Sequence, residues 1–378
     1  MALRVLFVFG TRPEAIKLAP LIRRLGAAPA IFQTRVCVTA QHRSMLDQVL
    51  GAFGIRPHHD LGLMRPGQSL SRLTARVLEA LQPVIQEEGP DWMVVQGDTT
   101  TTFGAALAGF YARVAVAHVE AGLRTGDLAR PYPEEINRVL TTRLASLHFA
   151  ATEEAAANLR SEGVSPPAIH VTGNTVIDAV LEVRDGLQQG RLARSEWRFL
   201  DPARKLLLVT AHRRESFGEG FERICRALAQ LALRPDVQIV YPVHANPNVQ
   251  EPVRRILDGR PGIHLLDPLE YVPFIDLMSR SYLILTDSGG IQEEAPSLGK
   301  PVLVMRDKTE RPEAVRAGTV RLVGTDVDAI VQQATRLLED PEHYRTMSRR
   351  HNPYGDGRAS ERIAQVLGRV EAGAAPMR

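Results

Sequence analysis

From Arg4 onward, short apolar runs alternate with amphipathic stretches of helical length, and near residue 200 the series begins again. A strand-length apolar run without polar alternation needs cover on both faces, which helices flanking a parallel sheet supply. A helix-length connection is also what joins two parallel neighbours. The first series predicts strands at 4–9, 34–39, 92–96, 114–118, 147–151 and 168–172, with helices at 14–25, 43–53, 69–87, 101–112 and 134–145. The second predicts strands at 205–210, 237–241, 263–266, 282–286, 301–305 and 320–323, separated by helices such as 220–233 and 289–298. The expected fold class is α/β, with two Rossmann-like domains on parallel sheets facing a cleft. Gly173-Asn174-Thr175 punctuates the end of the first series and sets the expected domains at 1–172 and 173–357. The polar stretch 184–202 reads as the connector, and a break at Asn352-Pro353 precedes a helical pattern over 359–370. That last helix is expected to pack back on the first domain, adding 358–378 to it.

Composition excludes several classes. The 378 residues are 44% hydrophobic, enough for two cores. No apolar run approaches the ~20 residues that span a bilayer. The start runs straight into a strand, so no signal peptide is expected. Cys37 and Cys225 are too few for a disulfide framework and lack metal-ligand spacing, which leaves the cytoplasm as the expected compartment. A net charge of +3 and an aromatic content of 5% argue against a nucleic-acid partner but suit a small anion. Lysine occurs only at Lys17, Lys205, Lys300 and Lys308, so Lys17 stands out in an arginine-rich chain.

Ligands bind beyond the carboxyl ends of the strands in open parallel sheets. The expected strand tips hold Gly10-Thr11-Arg12-Pro13-Glu14, Gln41-His42, Gly97-Asp98-Thr99, His118-Val119-Glu120, His212-Arg213-Arg214-Glu215, His244-Ala245-Asn246 and Asp287-Ser288-Gly289-Gly290. A helix opened by Pro13 offers its first N–H groups to an anion, with Arg12 and Lys17 adding charge. Ser288, Gly289 and Gly290 form a second such turn, and Glu294, one turn on, suits a ribose diol. Neither turn is a dinucleotide fingerprint, because no Gly-x-Gly-x-x-Gly occurs, and Gly299-Lys300 is followed by Pro301 rather than completing a P-loop. Among the carboxylates, Asp98 also reads as a helix cap, and Glu134 with Arg138 as an i, i+4 pair. Glu120 sits in a Gly-bounded turn with no such alternative. Three acids from one half can act as base, acid and orienting group. His118-x-Glu120 is the sole hint of a metal pair, and no metal is expected. His58-His59 reads as a solvated loop, and both cysteines read as buried structural thiols.

The strand-tip strings, together with Gln96-Gly97-Asp98-Thr99, His118 to Arg124, Pro133 to Arg138, Gly173-Asn174-Thr175, Asp287 to Ala295 and Glu310-Arg311-Pro312-Glu313-Ala314, resemble the non-hydrolysing UDP-N-acetylglucosamine 2-epimerases of bacteria. Each string is short, but they occur in order from about Gly10 to Gly357. The resemblance implies a glycosyltransferase-B-like fold, a homodimer, and interconversion of UDP-N-acetylglucosamine and UDP-N-acetylmannosamine for surface polysaccharide synthesis. It implies Asp98, Glu120 and Glu134 as acid/base carboxylates, and His212 as the group assisting departure of UDP. Arg12, Lys17, Arg138, His244, Ser288, Gly289, Gly290, Glu294 and Arg311 would hold substrate, with Leu269 and Phe274 against the uracil. Some relatives bind a second UDP-N-acetylglucosamine as a regulator. Gln41 and His42 match part of that region, and Gln68 follows Gly67, where regulated relatives can carry a basic residue.

The implied chemistry agrees with the residues. The C2 proton of the sugar has no adjacent carbonyl to acidify it. Transient oxidation at C3 would need NAD, but none of the seven tyrosines has Lys four residues on, so no cofactor is expected. The alternative is to expel UDP from C1, remove the C2 proton to give a 2-acetamidoglucal, and add UDP back. A hydrolysing relative would release free sugar. A glycosyltransferase of the same fold would need an acceptor, and a nucleotide-sugar sensor would exchange no C2 proton.

Overall fold

The computed structural model describes residues 2–39, 43–65, 67–349 and 351–369. The chain forms two compact units, one of Met1–Ala179 with Tyr354–Arg378 and one of Val180–Pro353. The first holds β1 (Leu3–Phe9), β2 (Phe32–Val38), β3 (His59–Asp60), β4 (Trp92–Gln96), β5 (Ala115–Ala121), β6 (Leu147–Ala150) and β7 (Ile169–Val171). Their order is β3-β2-β1-β4-β5-β6-β7, and every neighbouring pair is parallel. The second unit holds β8 (Lys205–Thr210), β9 (Val237–Pro242), β10 (Ile263–Leu266), β11 (Leu283–Thr286), β12 (Val302–Val304) and β13 (Val320–Leu322). These too are all parallel, in the order β10-β9-β8-β11-β12-β13. Each unit is thus Rossmann-like, with its strand order reversing between β1 and β4 or between β8 and β11.

The central strands of each sheet are buried on both faces, as their apolar runs require. Leu6, Phe7, Val8 and Phe9 of β1 have no exposed surface. Leu73, Val77 and Leu81 of the helix Leu70–Glu88 pack on Met93 and Val95. In the second unit Phe221, Ile224, Cys225 and Leu228 line one stripe of the helix Glu219–Leu231 and pack on Ile239 and Leu285. That spacing is the helical period. Cys37 and Cys225 are both buried free thiols, with burial pushing each thiol pKa up to about 12.

Four local expectations need correction. β3 escapes the sequence pattern because it is two residues long, and it takes His59, though not the exposed His58, out of the expected solvated loop. His58 Nδ1 accepts the Val36 N–H (3.1 Å), and His59 Nε2 lies 2.7 Å from Glu88 Oε1. β5 continues past His118 to Ala121, with a register shift between Val119 and Ala121. A helix at Thr175–Gln188 begins just past the expected boundary at 173, spans the observed one between Ala179 and Val180, and takes up the start of the expected connector. Residues 173–179 belong with the first unit because their polar groups are tied to the returning chain. The Asn174 N–H donates to Tyr354 O (2.7 Å), and Asp178 accepts the N–H groups of Ala359 (3.2 Å) and Ser360 (2.8 Å). The helix Ala359–Arg369 then buries Ile363 and Leu367 and packs on the helix Arg12–Gly26. Among the described residues no helix is long and apolar enough to cross a membrane.

Candidate active site

In the first unit the strand order reverses between β1 and β4, and the turns after both carry polar side chains. Thr11 caps the helix Arg12–Gly26 in a capping box with Glu14. Glu14 Oε2 accepts the N–H groups of Gly10 (3.1 Å) and Thr11 (2.7 Å), while Oε1 accepts the hydroxyls of Thr99 (2.8 Å) and Thr102 (3.0 Å). The expected open anion cradle at residues 10–17 is therefore filled by the chain's own carboxylate, and burial raises that carboxyl pKa. Glu14 ties the β1 turn to the β4 turn. Gly10 is required there because a Cβ would lie 2.2 Å from Thr39 Oγ1.

Glu120 lies at the irregularity of β5 with φ of +63°, a left-handed backbone that a non-glycine residue rarely adopts. Its Oε2 accepts Lys17 Nζ at 2.5 Å and also Gln96 Nε2. Both groups are donors and both approach one oxygen. Lys17 therefore lies on Glu120, with 18% of its side chain exposed against 10% for Glu120. His118, two residues earlier, is engaged elsewhere. It is fully buried, its Nε2 lies 2.7 Å from Gly97 O, and burial lowers its pKa to about 3. A neutral imidazole holding a carbonyl is not a metal ligand, and no metal-binding group of three or more His, Cys, Asp or Glu occurs among the described residues.

Asp98 does not cap the following helix; Thr99 does. The Asp98 carboxylate pairs with Arg138, and its carbonyl accepts Asn137 Nδ2 at 3.0 Å. Arg138 is nearly buried and also donates to Glu135 Oε2 (3.0 Å), so the expected i, i+4 pair with Glu134 does not form. Glu135 Oε1 in turn accepts the N–H groups of Thr125 (2.9 Å) and Gly126 (3.2 Å). Glu134 heads the helix Glu134–Leu144, is half-buried, and has no hydrogen-bond partner among the described residues. Arg12 is likewise half-buried with its guanidinium unpaired among them.

In the second unit the order reverses between β8 and β11. Asp287 is fully buried, and its Oδ2 accepts the N–H groups of His212 (2.6 Å) and Arg213 (2.7 Å). His212 lies on the ring of the exposed His244, with centroids 5.3 Å apart and planes 15° from parallel. Burial lowers the His212 pKa, Asp287 opposes that, and His244 and Arg213 add to it. Ser288 makes no side-chain cap to the helix Gly289–Glu294. A Cβ on Gly289 would sit 3.9 Å from Arg213 and 4.0 Å from Arg311, so two guanidinium groups flank this turn. Arg311 is held by Glu293, and Glu294 Oε1 approaches Gly290. Buried Arg306 bridges Glu215 (2.5 Å) and Glu310 (2.9 Å), and its hydrogen bonds hold the Glu310 pKa at about 2. That bridge fixes the loops on either side of the turn.

Lys17 and Glu120 are thus brought together, as are Asp98 and Arg138, His212 and His244, and the glycines with Arg311. Gln68 accepts from Arg76 of the helix Leu70–Glu88 (3.4 Å) and donates to Met64 Sδ of its own loop (3.0 Å). Leu269 precedes, and Phe274 lies on, the helix Tyr271–Arg280; both are half-buried and no polar contact ties them to the other candidates. Gln41 and His42 lie outside the described residues. Sequence reasoning gave no part of their own to Gln96, Glu135 and Glu293, and named Glu14 and Asp287 only within their strand-tip turns. The spacing from Thr11 to Glu14 carries a capping-box signature, and Glu135 stands i, i+3 from Arg138 on one helix; Gln96, Asp287 and Glu293 act through partners that no local pattern announces.

Residues 24–368 match the family model described as UDP-N-acetylglucosamine 2-epimerase. The chain is 60% identical over 370 residues to the UDP-N-acetylglucosamine 2-epimerase of Escherichia coli strain K12, covering 97% of this chain and 98% of that one. It superposes on the UDP-GlcNAc 2-epimerase of Neisseria meningitidis, a structure bound to UDP-GlcNAc, with a TM-score of 0.88 and 49% identity, over 97% and 99% of the two chains. The glycotransferase of kitacinnamycin shares the fold alone, with a TM-score of 0.65 at 13% identity over 100% of both chains.

Proposed function

Since the chain belongs to the UDP-N-acetylglucosamine 2-epimerase family, we propose that it interconverts UDP-N-acetylglucosamine and UDP-N-acetylmannosamine by elimination and re-addition of UDP. The C1–O bond breaks and its electron pair leaves on the β-phosphate oxygen. A carboxylate takes the C2 proton, and the C–H electrons become the C1=C2 bond of a 2-acetamidoglucal. Reprotonation of C2 from the opposite face and attack by UDP complete the inversion. Asp98, Glu120 and Glu134 are the acid/base set of this reading. His212, Ser288, Gly289, Gly290, Glu294 and Arg311 hold the uridine diphosphate, with Leu269 and Phe274 at the uracil. Gln41, His42, Gln68 and His244 complete the proposed contacts. A homodimer, a cytoplasmic setting and supply of polysaccharide synthesis belong to the same proposal.

The observation that carries it is the pairing at the β4 and β5 tips. Glu120 is held by two donors in a strained backbone and Asp98 by a buried arginine, while Glu134 heads the helix that supplies that arginine. Preorganised carboxylates of this kind cost no reorganisation during reaction. Asp98→Asn, Glu120→Gln and Glu134→Gln should each nearly abolish turnover while calorimetry still records UDP binding. Arg311→Ala should lower the rate on the order of 10²-fold, as for other transition-state charge partners. Incubation with UDP-N-acetylglucosamine in deuterated water, without NAD, should place deuterium at C2 of UDP-N-acetylmannosamine. Free N-acetylmannosamine as the product, or normal turnover in the three carboxylate variants, would refute the reading.

A further inference from the structure

Asp287 and His212 stand on neighbouring strand tips, β11 and β8, on the two sides of the reversal in the second sheet. Asp287 Oδ2 is satisfied by two backbone N–H groups of the His212 turn. Asp287 Oδ1 is buried without a hydrogen-bond partner, and His212 Nδ1 lies 3.4 Å from it. Leaving a buried acceptor unmatched costs about 1–3 kcal/mol. A small turn of the imidazole about its Cβ–Cγ bond supplies the missing donor, provided the proton is on Nδ1. His244, stacked on the same ring, has its Nδ1 engaged as acceptor of the Asn246 N–H (3.1 Å).

We propose that Asp287 is the positioning residue of His212: Oδ2 fixes the backbone of the His212 turn, and Oδ1 selects the Nδ1–H tautomer, leaving Nε2 for the diphosphate. The proposal rests on the reading above, in which His212 assists departure of UDP. As the C1–O bond breaks, negative charge grows on the β-phosphate, and a hydrogen bond from a protonated Nε2 strengthens with it. A carboxylate behind Nδ1 stabilises that imidazolium, the role an aspartate plays behind the histidine of hydrolase triads. The charged and titratable groups bearing on the ring are Asp287 from β11, His244 from β9 and Arg213 from the same turn. Asp287 is the one that favours the cation.

Asp287→Asn keeps an acceptor for the two backbone N–H groups but presents an amide N–H to Nδ1. In protein labelled with nitrogen-15 histidine, the His212 pKa should fall by about one unit in this variant, the size of effect expected from removing a neighbouring carboxylate. The basic limb of the kcat–pH profile should move to lower pH by the same amount. Turnover should drop on the order of 10²-fold with KM little changed, the range for losing a positioned proton donor. In the wild-type protein at high pH, histidine nitrogen shifts should report Nδ1 protonated and Nε2 bare. This last measurement stands even where Asp287→Asn fails to fold. An Nε2–H tautomer in the wild type overturns the proposal, as does a folded Asp287→Asn protein with an unmoved His212 pKa or pH profile. Full turnover by His212→Asn would overturn the catalytic reading beneath it. An inactive His212→Asn beside an unmoved pKa in Asp287→Asn would overturn the pairing alone.

Discussion

His118 and Glu120 lie on one strand and show how residues of similar promise in sequence take different work. Glu120 is held at a bulge by donors from two other elements, whereas His118 is sealed in the sheet against Gly97 O. The His118 pKa of about 3 and the His148 pKa of about 4, both lowered by burial, set a pH dependence of stability. The folded values lie below the ordinary one, so on acidification the unfolded chain takes up protons first. The stability these histidines provide is complete above about pH 6.5 and is lost as pH falls toward their folded values, at up to about 1.4 kcal/mol per histidine per pH unit. Urea unfolding between pH 7 and pH 5 should show that slope, and His118→Gln should flatten it. Equal slopes in the two proteins would argue against a buried neutral His118. At this scale the carboxylates themselves were legible as strand-tip acids, but their partners were not. Lys17 is 103 residues from Glu120 and Asp287 is 75 from His212, separations at which no periodicity operates.

At the scale of elements, the alternation of apolar runs and helices was enough to find twelve of the strands within a few residues, because each is a short apolar run bounded by turns. What escaped was set by tertiary pairing. β3 is too short to carry a pattern, and the extension of β5 through Glu120 depends on the irregular pairing with β6. The helix Thr175–Gln188 was hidden by its polar second half, which was taken for a connector. Tight turns give the clearest test here. Gly10→Ala would put a methyl 2.2 Å from Thr39 Oγ1 and 2.8 Å from Thr101 Oγ1, which already bond one another at 3.0 Å. Overpacking of this kind costs about 1–3 kcal/mol, and the displaced turn carries Arg12 and Glu14, so turnover should fall as well. Gly51, in the helix Arg43–Ala52 with nothing within 4 Å of a Cβ, is the matched control. Gly51→Ala should raise stability by about 0.5–1 kcal/mol. Denaturant midpoints of the two variants that moved in the same direction would contradict this account.

At the scale of the whole molecule, two Rossmann-like units each enclose a core of their own. The doubling of the sequence pattern made this legible, whereas the place where one unit ends did not follow from Gly173, since hydrogen bonding rather than punctuation decides it. The first unit is completed by Ile363 and Leu367, both fully buried. Ending the chain at Pro353 should therefore destabilise the first unit by about 3–6 kcal/mol from those two side chains alone. Calorimetry should show the transition of the first unit lowered and that of the second retained. Unchanged transitions would mean that the terminal helix contributes nothing to the first core.

The same closure has a consequence for the order of events during synthesis. Asp178 is translated before Val180–Pro353, but Ala359 and Ser360, whose N–H groups it accepts, only afterwards. At typical elongation rates that interval is roughly 10–40 s. The unit whose translation starts first is thus the last to be finished. Through that interval the face of the helix Arg12–Gly26 that Ala359–Arg369 will cover stays open, a natural place for a chaperone to act on the nascent chain.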